Sequence, residues 1–164
     1  MQARHICQDL DLWRRRLKEI ESDIEGLLDA HEVGRLLTSI DGIGPHYAAR
    51  IIAAVGDPAR FRSAGAFAAY VGVVPGLRQS GRRTATRAAT VFGNAKLRRA
   101  LWMTVLAAVR INPWLKAFHD RLRQAGKPPK LALIAATRKL LHAVYSVARD
   151  RKPFVIAPAA QQTS

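Results

Sequence analysis

Apolar residues recur at Ile6, Leu10, Trp13, Leu17, Ile20, Ile24 and Leu27, in steps that alternate between four and three. That period puts all seven on one stripe of a helix over about three heptads. Charged residues fill the positions between them. Two arrangements satisfy the pattern: an amphipathic helix laid on its own domain, or a coiled coil that recruits a second chain.

The pattern then shortens. "LLTSIDGIGPHYAARIIAAVGD", Leu36 to Asp57, has two short apolar helices around Gly42-Ile43-Gly44, with Pro45 where a first helical turn tolerates it. This is the pattern of a helix-hairpin-helix unit. The chain must reverse in a few residues, which needs glycine's φ/ψ range. A bare backbone at the tip also admits a phosphate to the N–H groups that open the second helix. Ile43 is expected between the helices, holding the tip rigid. An ordinary helix–helix turn is the alternative.

Ser63 is a suitable cap for a short helix through Tyr70, which Gly72, Pro75 and Gly76 end. From Leu77 to Phe92 no helical period is present, and Thr84, Thr86, Thr90 and Val91 allow a short β-hairpin within 71–92. Gly93-Asn94 restarts a helix with Asn94 as its cap. "AKLRRALWMTVLAAVRI" is apolar nearly all round after Arg99, which predicts the central buried helix. Asn112-Pro113 opens another helix that ends at Gly126, and a last helix runs from Leu131 to about Asp150. The expected fold class is all-α, or mostly α: a coiled-coil-like helix over 1–35, a helical domain over 36–153, and a flexible tail over 154–164.

Composition changes this picture in one respect. Of 164 residues, 49% are hydrophobic, enough for a single core, but the formal net charge is +15. Residues 1–41 hold six Lys/Arg against nine Asp/Glu, whereas residues 42–164 hold 21 against three. The two parts therefore have different tasks, and the second asks for a polyanion, DNA before RNA. The few aromatics on basic segments argue mildly against an RNA-binding protein. No run of 18 apolar residues occurs, so no membrane-spanning helix is expected, and the N-terminus lacks a secretory h-region. Cys7 is alone, which fits a reducing cytoplasm.

Much chemistry is missing. There is no phosphate-binding GxxxxGK[ST] loop, and the Gly42/Gly44 pair lacks the strand and third glycine of a dinucleotide fold. His5, His31, His46, His119 and His142 do not stand at metal-ligand spacing. The basic part has only Asp57, Asp120 and Asp150, far apart in sequence, where a two-metal nuclease needs converging carboxylates. No metal or cofactor site is expected in this chain.

One constellation remains. "VVPGLRQSGRRTATR" carries Ser80 among Arg78, Arg82, Arg83 and Arg87, with no acidic residue. Arginines clamp the non-bridging oxygens of a phosphate and offset charge that grows during phosphoryl transfer. Gly81 removes a side chain where a nucleic-acid backbone would approach. A serine hydroxyl needs activation, and no general base is evident nearby, so spacing alone leaves a solvated basic loop as the alternative.

The order of the motifs is more specific than any one of them. "IDGIGPHYAARIIAAVGDPARF" is followed by "AAYVGVVPGLRQSG", then "FGNAKLRRALWMTVLAAVR", then "FHDRLRQAGKPPKLALIAATRKLLHAVY". This succession, from about Leu36 to Pro153, resembles the C-terminal half of transposases of the insertion sequence 110/116/902 family, the bridge-RNA-guided recombinases. The resemblance implies that Ser80 is a nucleophile forming a transient covalent link to DNA. DNA contacts are expected at Gly42 and Gly44 from the hairpin tip and at Arg78, Arg82, Arg83 and Arg87 from the arginine loop, and the resemblance adds Asn94, Lys96 and Arg98, whose stretch matches the family block after the serine. The resemblance also implies a guide RNA, a bacterial, nucleoid-associated cytoplasmic location, and Mg²⁺ held by a RuvC-like domain with four acidic residues; the heptad seam separately leads us to expect self-association through residues 6–27. That RuvC-like half is missing from this sequence, and the stretch between Gly81 and Gly93 is short and lacks the usual glycines. The expected function is the DNA-binding, serine-supplying half of a transposase, inactive without the RuvC-like domain. The alternative is a helix-hairpin-helix DNA-binding module with no catalysis of its own.

Overall fold

The computed structural model describes the backbone of residues 2–73, 76–80, 83–87 and 93–156, and side chains within 5–73 and 93–156. Among the described residues the chain is mostly helical: α1 (Gln2–Asp29), α2 (Glu32–Leu37), α3 (Pro45–Val55), α4 (Ala64–Val71), α5 (Ala95–Ile111), α6 (Pro113–Gln124) and α7 (Pro129–Asp150). A 3₁₀ turn at Pro58–Arg60 joins α3 to α4, and strands β1 (Gly76–Ser80) and β2 (Arg83–Arg87) interrupt the helices.

Polar caps set most of the helix starts. Ser63 accepts from the Ala66 N–H at 3.1 Å, Asn94 from Leu97 at 3.0 Å, and Asn112 from Leu115 at 3.2 Å. His31 caps α2 through Nδ1, which accepts from Gly34 at 3.1 Å. Each cap satisfies an N–H that has no partner within its own helix.

The centre of the body is α7, which packs against α2, α4, α5, α6 and the 3₁₀ turn. Ten of its residues are buried, among them Leu140, Leu141, Val144 and Val147. Alanines at 132, 136, 143 and 148 let the neighbouring backbones come close. The Tyr145 hydroxyl donates to the Phe61 carbonyl at 3.0 Å, tying α7 to the loop before α4. By length and composition α7 could also cross a bilayer, but its apolar surface is the core of this bundle.

The expectation that α5 is the central helix is corrected. Its buried residues, Leu97, Ala100, Leu101, Thr104, Val105 and Ala108, lie three and four apart on one face, while Met103 and Ile111 are 56% and 62% exposed. Its apolar circumference belongs to a surface helix with an uncovered side, and the repeated small residues of α7 make the better hub.

Two segment boundaries also move. Residues 32–35, grouped by sequence with the first helix, belong to α2, where Val33 and Gly34 are buried. At the other end Phe154 is docked: its N–H donates to Ser39 Oγ at 2.7 Å and its ring meets Trp114 with centroids 5.2 Å apart. The body therefore extends through Phe154, and residues 157–164 of the expected tail lie outside the described part. Helix α1 meets α2 and α3 only through its C-terminal end, where Leu28 is buried and Ile24 half-buried. Along the rest of its stripe Ile6, Leu10, Trp13, Leu17 and Ile20 are 50–60% exposed, so the body does not take up the seam.

Candidate nucleic-acid interface

The glycine turn is built as a rigid corner. After α2 the chain continues in i→i+3 bonds, with Ile40 N–H donating to Leu37 O at 3.2 Å and Ile43 N–H to Ile40 O at 2.8 Å. Ile43 is buried, as expected, and Ile40 is buried beside it. The two glycines do different work. Gly42 has φ +98°, and a Cβ there would lie 2.5 Å from Ala108 Cβ and 2.7 Å from Ala108 Cα of α5. Its bare backbone is taken up by packing. Gly44 caps α3 with an extended backbone, φ −76° and ψ 171°, and among the described residues nothing stands within 4 Å of its Cβ position.

A buried side chain fixes this corner from behind. Asn112, fully buried, donates from Nδ2 to the Asp41 carbonyl at 3.2 Å while its Oδ1 caps α6. One residue thus joins the turn to the α5–α6 junction. In the sequence only its capping role was legible.

Electrostatics at the tip are mixed. A cavity of 630 Å³ beside it is bordered by Glu21 and Glu25 of α1 and by Asp41, with His46 the one basic side chain of its lining among the described residues. A phosphate is repelled on that side. The approach left open follows His46 and Arg50, both exposed and one turn apart on α3.

The serine stretch forms a ribbon. β1 and β2 are antiparallel with Ser80 opposite Arg83, Arg78 opposite Ala85 and Gly76 opposite Arg87. Residues directly opposite share a face, and so do alternate residues along a strand. Ser80, Arg78, Arg83 and Arg87 therefore occupy one face of the ribbon, and Leu77, Gln79, Thr84 and Thr86 the other. Gly81 and Arg82, between Ser80 and Arg83, lie outside the described residues. The described residues on either side of the ribbon segment come together at a narrow neck. Gly93 has φ +117°, and a Cβ there would sit 2.6 Å from Gly72 N. The Asn94 N–H closes the neck by donating to Tyr70 O at 3.0 Å.

The three remaining site candidates lie just past the neck on α5. Asn94 is half-buried and its side chain is committed to the cap. Arg98 is half-buried and donates to the Val71 carbonyl at 3.3 Å, while Lys96 is exposed.

The carboxylates do not converge. Asp57 binds the Ala59 N–H and the Arg151 guanidinium, Asp120 pairs with Lys116 at 2.6 Å and His119 at 3.3 Å, and Asp150 pairs with Arg149 at 2.7 Å. The Lys116 hydrogen bond, then the His119 one, holds the Asp120 carboxyl below the usual range, and Arg149 does the same for Asp150. No group of three or more His, Cys, Asp or Glu comes together among the described residues. This donor set does not fit the divalent-cation centre that the family resemblance implies for a RuvC-like domain.

In sequence the chain is similar to proteins of insertion elements and to pilin gene-inverting proteins. The chain belongs to the transposase IS116/IS110/IS902 family, whose model matches residues 34–120. It is 32% identical over 145 residues to an uncharacterized protein of insertion element IS110 from Streptomyces coelicolor, covering 88% of this chain and 36% of that protein. It is 32% identical over 148 residues to the pilin gene-inverting protein of Moraxella bovis, covering 87% of this chain and 46% of that one. Against a protein of insertion element IS116 from Streptomyces clavuligerus it is 27% identical, with 91% and 37% covered. The chain thus spans between about a third and a half of the length of these relatives.

Proposed function

We propose that this chain is the serine-bearing, DNA-handling portion of a transposase, and that Ser80 is the nucleophile. The observation that carries the reading is the ribbon register, which gathers Ser80 with Arg78, Arg83 and Arg87 on one face. In the proposed step Ser80 Oγ attacks a DNA phosphorus and the bond from phosphorus to the departing strand oxygen breaks. The serine loses its proton and the departing oxygen gains one. The arginines hold the non-bridging oxygens and offset the developing charge. Arg82, one residue from Ser80, joins them in this proposal. Lys96 and Arg98 hold DNA beside the neck, with Asn94 fixing the helix start, and Gly44 admits a phosphate at the tip that Gly42 shapes.

The rest of the machinery lies outside these residues. Carboxylates for Mg²⁺ come from a RuvC-like domain supplied elsewhere, and a guide RNA selects the site. The exposed stripe of α1 brings two copies together. The Moraxella relative, named for inverting a pilin gene, supports DNA rearrangement as the wider activity.

A second reading has its own support. With Asp57, Asp120 and Asp150 each committed to a local partner, the chain could serve as a binding module alone. One experiment separates the two. A family RuvC-like domain, Mg²⁺ and a matching guide RNA are added to the chain, and covalent DNA–protein adducts are counted on denaturing gels. We expect an adduct with the wild type, none with Ser80→Ala, and DNA binding within about twofold for both, because one hydroxyl adds little to a charge-driven interface. An adduct that persists in Ser80→Ala refutes the nucleophile assignment and leaves the ribbon as a clamp.

A further inference from the structure

We infer that a continuous basic strip across α3, α5 and α7 holds an unpaired nucleic-acid strand, with Trp102 stacking on one of its bases. Two adjoining concavities form the strip. The first, of 370 Å³, is lined by Gly72, Val73, Arg98, Arg99, Trp102 and Lys130, among others, and lies at the neck. The second, also 370 Å³, is lined by Arg50 of α3 and by Lys96 and Arg99 of α5. Arg99 belongs to both and makes them one track.

The charge on this track is uncompensated. Among the described residues no acidic side chain lines either concavity. Among the described residues, none of Arg50, Lys96, Arg98, Arg99 and Lys130 takes part in an ion pair. Five cations packed along one strip repel one another, and a polyanion relieves that repulsion. A few basic residues elsewhere are paired with acids, as in Lys116–Asp120 and Arg149–Asp150, so what sets the strip apart is the close grouping of its cations around two adjoining concavities.

Geometry gives the strip a direction. Lys96, Arg99 and Trp102 are spaced three apart and follow one another up α5, so about 9 Å of helix separates the first from the last. Arg50 extends the line towards the glycine corner on α3, and Lys130 closes it at the start of α7. Trp102 is half-buried, with its ring at the wall of the neck concavity. An indole in a positive groove is a stacking platform that accepts any base with a free face. A paired base inside a duplex offers no such face, so the site selects an unpaired strand. A concavity of this volume lies within the roughly 300–1,000 Å³ typical of small-ligand pockets. The concavity lies at Gly72 and Val73, in the chain just before the segment that carries Ser80. The inference rests on the reading of this chain as a nucleic-acid-handling protein, and it adds a strand preference that the reading lacks.

The test is fluorescence anisotropy of the full chain with labelled 20-nucleotide single-stranded DNA, single-stranded RNA of the same sequence, and the DNA duplex, over a salt series. Trp102→Leu should weaken single-strand binding by about 5- to 150-fold, as loss of one stacked base does, and leave duplex binding unchanged. Trp102→Phe, which keeps a ring, should recover most of the loss and shows that folding is not the cause. Arg99→Gln should lower the single-strand salt slope by about 0.7. The DNA and RNA arms tell which strand is preferred, and a loss in either supports the site. Equal binding by Trp102→Leu and wild type, or equal losses on duplex and single strands, overturns it. Salt-sensitive binding that ignores Trp102 removes only this inference, whereas salt-insensitive binding by the wild type removes the wider reading as well.

Discussion

Replacing each glycine of the corner by alanine should have opposite consequences, and the structure gives both magnitudes. In Gly42→Ala the new Cβ falls 2.5 Å from Ala108 Cβ and 2.7 Å from Ala108 Cα. The second atom is backbone in the last turn of α5, so the clash cannot be relieved by a rotamer change. Overpacking of this kind costs about 1–3 kcal/mol. The φ of +98° adds about 1–3 kcal/mol for any residue with a Cβ. The two together predict a loss of about 2–6 kcal/mol, a large part of a typical domain's stability. For a chain of this length that is a fall in Tm of roughly 4–24 °C. Gly44→Ala meets nothing within 4 Å among the described residues and has an ordinary extended backbone. It weakens the cap of α3 slightly and restricts the unfolded chain slightly, so its stability should stay within about 1 kcal/mol of wild type. Thermal denaturation followed by circular dichroism, with urea melts at 25 °C, measures both. Equal Tm values for Gly42→Ala and Gly44→Ala would refute this division of roles. Gly44→Leu extends the test to function: it should remain folded and lose about 10–150-fold in DNA affinity, the worth of one charge-assisted backbone hydrogen bond.

Further outcomes follow from other parts of the molecule. If roughly 6 phosphates are neutralised, log affinity for duplex DNA should fall with a slope near −5 against log salt, and a flat response in a filter-binding series would contradict the charge argument. Leu17→Lys should abolish self-association in sedimentation experiments, because a lysine in the seam buries an unpaired charge; an unchanged mass distribution would remove the coiled-coil proposal. Leu17 is a cleaner probe than Ile24, which is half-buried against the body. Asn112→Ala should cost about 2–4 kcal/mol, combining a lost cap with an unsatisfied Asp41 carbonyl, and a urea midpoint equal to wild type would speak against the corner's anchorage. Burial, with Arg138 adding to it, pushes the His142 imidazole below its usual range, and among the described residues its Nε2 has no hydrogen-bond partner. The folded state thus holds this proton less well than the unfolded chain. Stability from this residue is intact above about pH 6.5 and declines as pH falls from there towards the lowered folded value. His142→Leu should flatten that part of the pH–stability curve, and an identical acid limb in both proteins would count against it.

What the sequence disclosed and what it hid follow physical lines. Caps at Ser63, Asn94 and Asn112 were legible because each sits directly before an apolar period, and the same local signal fixed the helix starts. The buried Ile43 was legible because two glycines around one aliphatic residue leave it a single place to go. The identity of the central helix was hidden, since apolar runs in α5 and α7 look alike until tertiary contacts decide which is surrounded. The division of labour between Gly42 and Gly44 was hidden too, because Ala108 lies 66 residues away in the chain. The strip from Arg50 to Lys130 joins three helices, and no window of the sequence contains it. Ser80 and its arginines were legible as a cluster, but the pairing of strands was needed to show which of them share a face.

The most direct test of the central claim is to identify the residue that becomes joined to DNA. The reconstituted complex, with RuvC-like domain, Mg²⁺ and guide RNA, is quenched, digested with nuclease and protease, and the peptides are sequenced by mass spectrometry. The account predicts a nucleotide esterified to Ser80, on a peptide that stays unmodified when Mg²⁺ is left out. A nucleotide found on any other residue, or an unmodified Ser80 in a reaction that exchanges strands, would contradict it.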